Sequence, residues 1–369
     1  MPQRLFRILS LDGGGIRGII SATILEYIEA EINAQQQAIA PGSPYIPLYK
    51  YFDLITGTST GSILAAGIAA TQKSPRELVE LYINNGKKIF PYWGKLGYLA
   101  PQRVNLLFRY GPSSPKFSNQ GLIQVLRDSL GEVLLEETFL EGETTRLLIP
   151  AYDTNAREPI IFKNWRKKYP KLKLWEACTA SASAPTFFPA YIFENGRKVI
   201  SAIDGGIAAN NPSSCAISEA IRLGYSPSEI SLLSIGTGEQ NVPLGDAQSW
   251  GVLQWAGHLV DVFMDGPLDI YEYISRQIVR YNEAKENQYL RLQPDLDNNF
   301  KVLSKKQLET LSSMDNASEE NIKNLITFAQ AYLESGTVKH ISWNEMTTIK
   351  SVKEEVQAFV SANLASVTI

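Results

Sequence analysis

Three adjacent glycines in Asp12-Gly13-Gly14-Gly15-Ile16-Arg17-Gly18 constrain this chain more than any other feature. Leu5 to Leu11, just before them, alternates in the manner of a strand. Just after them, Ile20, Ile24, Ile28 and Ile32 recur at a helical spacing. A chain that passes from strand to helix through such a run turns sharply. Without Cβ atoms, several of its backbone N–H groups can converge beside the helix N-terminus.

The same alternation continues downstream. Tyr51 to Thr56 reads as a short buried strand and Gly61 to Ala70 as a small-residue helix. Ser74-Pro75-Arg76-Glu77 has the capping-box pattern with proline at the first helical position, which starts another helix. Further on we expect a helix over Asn119–Leu130, a strand over Arg146–Tyr152 and a helix near Leu174–Ser183. Strands near Tyr191 and Val199, a helix over Pro212–Leu223 and a strand over Ile230–Ile235 follow. Ser226-Pro227-Ser228-Glu229 repeats the capping pattern, but the β-branched and leucine run behind it favours a strand. The alternation predicts an α/β fold with a mainly parallel sheet covered by helices on both faces. Residues 86–118 interrupt it with glycines, prolines and aromatics, and the chain beyond about 248 reads as mostly helical. The expected organisation is one domain over 4–247 with a helical C-terminal extension, 248–369, packed on it.

Composition removes some function classes. A net charge of −3 gives no reason to expect nucleic acid as a partner. Cys178 and Cys215 lack metal or redox spacing, so a reducing, cytoplasmic setting is the simpler expectation. The first apolar run is too short and interrupted for a signal peptide, and no stretch of about 18 apolar residues occurs. The expectation is a soluble protein.

Gly13, Gly15 and Gly18 satisfy the dinucleotide-binding pattern GxGxxG. The acidic residue expected about 20 positions on is missing, which argues against that reading. A tight turn alone would not require three adjacent glycines flanked by Asp12 and Arg17. Beside the plain-turn and dinucleotide readings stands an oxyanion hole, where converging N–H groups hold a developing negative oxygen. Gly57-Thr58-Ser59-Thr60-Gly61 fits G-x-S-x-G between an expected strand and helix, the setting of a nucleophile elbow. A serine hydroxyl needs a base. Of the two histidines, His258 lies in an apolar helical stretch and His340 near the C-terminus. Asp204, followed by Gly205 and Gly206, is the stronger candidate, since a carboxylate in hydrogen-bond reach can take the proton directly.

In order and spacing, the Asp12–Gly18 loop, the Gly57–Gly61 elbow and Asp204-Gly205-Gly206 resemble the signature of the patatin-like phospholipase family. Ala182 to Pro189 and Ser234 to Gly238 are similar to its adjoining segments, and the resemblance spans roughly residues 4–240. It implies a three-layer α/β/α fold and a Ser59–Asp204 dyad without histidine. It also implies an oxyanion site at Gly13, Gly14 and Gly15 helped by Arg17, and hydrolysis through an acyl-enzyme. Family substrates are phospholipids, galactolipids and other acyl esters, with no cofactor or metal. Two rival readings stand beside it: a Ser59–Asp204–His258 triad esterase, and an idle lipid-binding or storage relative.

Between Leu81 and Leu126 no acidic residue occurs, while Lys87, Lys88, Lys95, Arg103, Arg109 and Lys116 are interleaved with seven aromatics from Phe90 to Phe117. Such a segment suits peripheral contact with an anionic membrane surface. The opposing reading is a solvated insertion whose aromatics pack on the core.

Overall fold

Strand β1, Phe6–Leu11, is buried at every position. This is seen in a computed structural model, which describes residues 5–91, 106, 111, 114–240, 249, 251–297, 300, 302–342 and 344–364, without the side chains of 252–265 and 283–284. The one charge in β1 is reconciled locally: Arg7 lies 3.7 Å from the Asp53 carboxylate and stacks on the Tyr51 ring.

β1 is central because both neighbours run parallel to it: β2, Leu54–Gly57, on one side and the later strand Ile230–Ile235 on the other. We number the remaining strands of this sheet β3 (Arg146–Asp153), β4 (Glu158–Lys163), β5 (Tyr191–Asn195) and β6 (Lys198–Asp204), so that Ile230–Ile235 is β7 and Tyr289–Leu292 is β8. The sheet order is β5-β6-β3-β2-β1-β7-β8, with β4 also paired to β3. Strands β3, β2, β1, β7 and β8 are parallel; β4, β5 and β6 supply the antiparallel pairs.

Side chains alternate across the sheet. Phe6, Ile8, Leu54, Leu148 and Leu232 pack against Ala216, Ile217 and Val279 on one face. Leu9, Leu11, Ile55, Leu147 and Leu233 pack into the larger core on the other, with the helices Gly18–Ile39, Thr60–Ala69 and Glu319–Ser335. The expected α/β/α layering with a mainly parallel sheet is therefore present.

Two registers place the site. Leu11 lies beside Gly57 and Ile235, and Ile235 beside Leu292, so four parallel strands end at one level. Crevices at such carboxyl ends are where open α/β sheets bind ligands. The second register concerns β3. Its Arg146–Leu148 pair with β2 and its Ala151–Asp153 with β6, while β4 occupies the opposite edge. β2 and β6 therefore meet end to end along one edge of β3.

Local expectations held for the helix after Ser74, whose hydroxyl accepts the Glu77 N–H, and for the strands β5 and β6, which pair as a hairpin. Tyr51 instead ends a short helix, Leu48–Tyr51, so β2 starts later. The Ser226 pattern caps one 3-10 turn, Pro227–Glu229, and the strand follows at once. Beyond 248 the helices Val252–Val279, Lys305–Leu311, Glu319–Ser335 and Val352–Leu364 dominate. The same segment also supplies the hairpin β9 (Thr337–Ile341) and β10 (Thr347–Ser351), and places β8 in the central sheet. No described helix is long and apolar enough to cross a membrane.

β8 is fastened by charge as well as by pairing. The Arg291 guanidinium donates to Asp12 Oδ2 at 2.6 Å and to Ser234 Oγ at 2.8 Å, all three residues being buried. Removing one member of such a pair strands the other charge in the interior. Arg291→Met should lower unfolding free energy by about 3–5 kcal/mol in urea titrations. Adding Asp12→Asn should restore part of the loss, and strictly additive losses would contradict the coupling.

Candidate active site

Ser59 stands two residues beyond the end of β2, at the N-terminus of the helix Thr60–Ala69. Its backbone has φ 54° and ψ −122°, a sparsely populated conformation for a residue with a Cβ. The turn is held by Thr58, whose N–H donates to the Leu11 carbonyl at 3.1 Å and whose hydroxyl donates to the Ala209 carbonyl at 2.6 Å. The Ser59 N–H donates to Ser181 Oγ at 3.0 Å. Gly57 and Gly61 flank the turn because there is no room for more: a Cβ on Gly57 would lie 2.0 Å from the Gly61 carbonyl oxygen.

Asp204 closes β6 at the junction with β2. Thr56 pairs with Leu148, and three residues further along β3, Ala151 pairs with Asp204. Ser59, three residues past Thr56, reaches the same level. Its hydroxyl donates to Asp204 Oδ2 at 2.6 Å, and the Gly206 N–H donates to Oδ1 at 2.7 Å. Gly205 passes over β3, where a Cβ would fall 2.3 Å from the Pro150 carbonyl oxygen. Asp204 is fully buried. Burial pushes its carboxyl up to about 6, against the Ser59 hydroxyl and Gly206 N–H, which favour the ionised form.

The glycine loop lies alongside. The Gly13 N–H donates to the Asn210 carbonyl at 3.2 Å and the Ile16 N–H to the Met314 carbonyl at 2.8 Å. Between them, the N–H groups of Gly14 and Gly15 have no partner among the described residues. Thr237 fixes the loop by donating to the Gly13 carbonyl at 2.9 Å, and a Cβ on Gly14 would meet its Oγ1 at 2.1 Å. Arg17 is buried and donates to the Ser312 carbonyl at 3.5 Å.

Gly14, Gly15, Ser59 and Asp204 share one cleft of about 650 Å³, counting the part open to solvent. The rest of its wall is almost wholly apolar: Ile16, Ile63, Ile89, Phe90, Leu122, Ala182, Phe187, Phe188 and Met314, with Thr60 and Tyr82. An ester whose carbonyl met Ser59 would have its hydrocarbon part in this apolar space.

A patatin-like phospholipase profile matches residues 9–217, more than half of the chain. The chain belongs to the patatin-like phospholipase family. It is 30% identical to Patatin-like protein 2 of Oryza sativa subsp. indica, over 90% of this chain and 84% of that one. Patatin-like protein 2 of Arabidopsis thaliana is 31% identical, over 90% and 86% of the two chains. A Solanum tuberosum relative, Probable inactive patatin-3-Kuras 1, is 31% identical over 78% of each chain. Among solved structures, human GIVD cytosolic phospholipase A2 aligns with a TM-score of 0.47 at 11% identity, covering 98% of this chain and 60% of that one.

The three patatin-like motifs thus meet in one cleft, although they are far apart in sequence. Ser181, Asn210, Thr237, Arg291 and Met314 were not foreseen. Ser181 borders the small-residue segment and Thr237 lies within the strand-end segment that carried the resemblance, so a signal existed for them. For Arg291 and Met314, outside the matched stretch, there was none. His340 is buried between Glu355 at 2.7 Å and Glu286 at 2.5 Å. The side chain of His258 lies outside the described residues. Of the basic aromatic insertion, Lys87 pairs with Glu319, Lys116 with Asp315, and Phe90 and Phe117 pack with Phe188. Tyr92, Trp93, Lys95, Tyr98, Arg103, Phe108, Arg109 and Tyr110 lie outside the described residues.

The raised Asp204 carboxyl has a consequence for stability. Its folded value, about 6, exceeds the ordinary 3.8, so ionising it costs the folded state and not the unfolded one. The penalty is absent below about pH 4 and complete above about pH 6. Asp204→Asn should therefore unfold at higher urea at pH 7, by up to about 3 kcal/mol, with the advantage vanishing below about pH 4. A pH-independent difference would contradict the buried, ionising carboxyl.

Proposed function

We propose that this protein hydrolyses acyl esters of lipids through an acyl-enzyme, with Ser59 as nucleophile and Asp204 as general base. The observation that carries the reading is the 2.6 Å hydrogen bond from Ser59 Oγ to a buried carboxylate inside an apolar cleft. Asp204 takes the hydroxyl proton as Oγ attacks the acyl carbon. The negative oxygen of the tetrahedral intermediate is held by the N–H groups of Gly14 and Gly15, with Gly13 fixing the loop through Asn210 and Thr237. Arg17 serves by holding the loop to Ser312. Asp204 returns the proton to the departing alcohol, and a water activated by the same carboxylate releases the fatty acid. Within the basic, aromatic segment around 86–118, Lys87 and Lys116 are ion-paired and Phe90 and Phe117 pack with Phe188, so contact with an anionic membrane surface as the source of substrate would fall to Lys88, Lys95, Arg103 and Arg109 with the remaining aromatics.

His340 is already engaged by two carboxylates, which favours the dyad over a triad using that residue. Ser59→Ala should abolish ester hydrolysis and fluorophosphonate labelling. Asp204→Asn should lower kcat by roughly 10³-fold or more with folding preserved. His258→Ala and His340→Ala should keep most activity on a soluble ester. The base works only when ionised, so kcat/KM should rise with pH through about 6. A histidine variant as inactive as Ser59→Ala, yet folded, would replace the dyad with a triad. Absence of turnover on a broad lipid panel would favour an idle lipid-binding relative.

The loop gives a separate test. Gly14→Val collides with Thr237 and moves the two N–H donors, so kcat should fall about 10²-fold or more while KM changes little. A pure KM effect would leave the glycines as a plain turn.

A further inference from the structure

The loop Ser312–Asn316 lies nearly a hundred residues beyond the matched stretch 9–217, yet it forms part of the cleft. Met314 is half-buried and lines the cleft directly. Its carbonyl accepts the Ile16 N–H at 2.8 Å, and a Cβ on Gly15 would fall 2.1 Å from that oxygen and 3.1 Å from Met314 Cβ. Met314 is therefore pressed against a glycine whose own N–H faces no described partner. Its unbranched side chain shares the cleft with Ser59.

The loop is not left to drift. Asp315 is buried, accepts the Ser313 hydroxyl at 2.9 Å and forms an ion pair with Lys116. The Asn321 side chain donates to the Asn316 carbonyl at 2.8 Å. Lys116 belongs to a different segment of the wall: its N–H and that of Phe117 donate to the carbonyls of Thr186 and Phe187 at 2.8 and 2.7 Å, and Phe187 lines the cleft. The Lys116–Asp315 pair thus ties the loop that carries Met314 to the segment that carries Phe187, both of which line the cleft.

We infer that Met314 is a specificity-determining residue that sets which acyl groups enter the cleft, with Asp315 and Lys116 as positioning residues for it. The inference rests on the acyl-ester reading above. A tightly packed apolar wall discriminates by size, and one methylene too many or too few is worth about 10- to 200-fold in kcat/KM. Methionine's flexibility lets one wall residue meet chains of several lengths, whereas a rigid or shortened side chain would not.

The test is the ratio of kcat/KM for p-nitrophenyl palmitate to that for the butyrate. Met314→Trp should lower this ratio by at least about 10-fold, and Met314→Ala should raise it. Lys116→Met and Asp315→Asn should move it in the same direction as Met314→Ala, and the charge swap Lys116→Asp with Asp315→Lys should bring it back. A ratio unchanged in both Met314 variants, with the butyrate still turned over, would overturn the inference and leave the proposed activity standing. Should no ester be hydrolysed, the same variants are tested by binding of palmitic acid. Binding to Met314→Trp at least about 10-fold weaker than to wild type supports the inference although the activity has failed, and equal binding overturns it.

Discussion

A carboxylate buried against a serine hydroxyl is the constraint around which this molecule is arranged. Asp204 has no cation beside it among the described residues; two hydrogen bonds, from Ser59 and from Gly206, favour its charge and burial opposes it. Such a group is tolerated in a fold only where the surrounding backbone over-determines its position. Here the over-determination comes from β3, which carries β2 and β6 on one edge and so brings Ser59 and Asp204 to one level. The strained backbone of Ser59 and the crowded glycines at 57, 61 and 205 follow from packing three chain segments into that junction.

The parts legible in the sequence were those written locally. Glycines 13 to 15, the elbow around Ser59 and the Asp204-Gly205-Gly206 turn each state a backbone requirement within a few residues, and the strand–helix alternation supplies their setting. Pairing information was much harder to read. β8 is four residues long and contains an arginine, so periodicity does not mark it, and β4 is masked by a proline and flanking charges. Arg291 reaches Asp12 across 279 positions, a relation that no local pattern encodes. Asn210 illustrates the middle case: close in sequence to Asp204, it acts through its main-chain carbonyl on Gly13, and no side-chain chemistry announces that.

The family segment and the rest of the chain divide the work unevenly. Residues 9–217 hold Ser59, Asp204 and the glycine loop, whereas β8, Thr237 and Met314 come from beyond that stretch. Glycine-loop geometry is thus held by Thr237, by the Arg291–Asp12 pair and by the Met314 carbonyl. The C-terminal segment is accordingly part of the site's frame.

The hairpin of β5 and β6 turns through two residues, Gly196 and Arg197, between the paired Asn195 and Lys198. Gly196 has φ 65° and Arg197 is not left-handed, as a type II′ turn with glycine first requires. Strand side chains alternate with a period of two, so a residue gained or lost in that turn, if taken up by β6 slipping one position along β3 and β5, would swing every β6 side chain to the opposite face of the sheet. The carboxylate would then point away from Ser59, although no atom near either residue had been changed. A tight turn at the protein's periphery, with no chemistry of its own, acts as the phase-setting device for the acid at its centre.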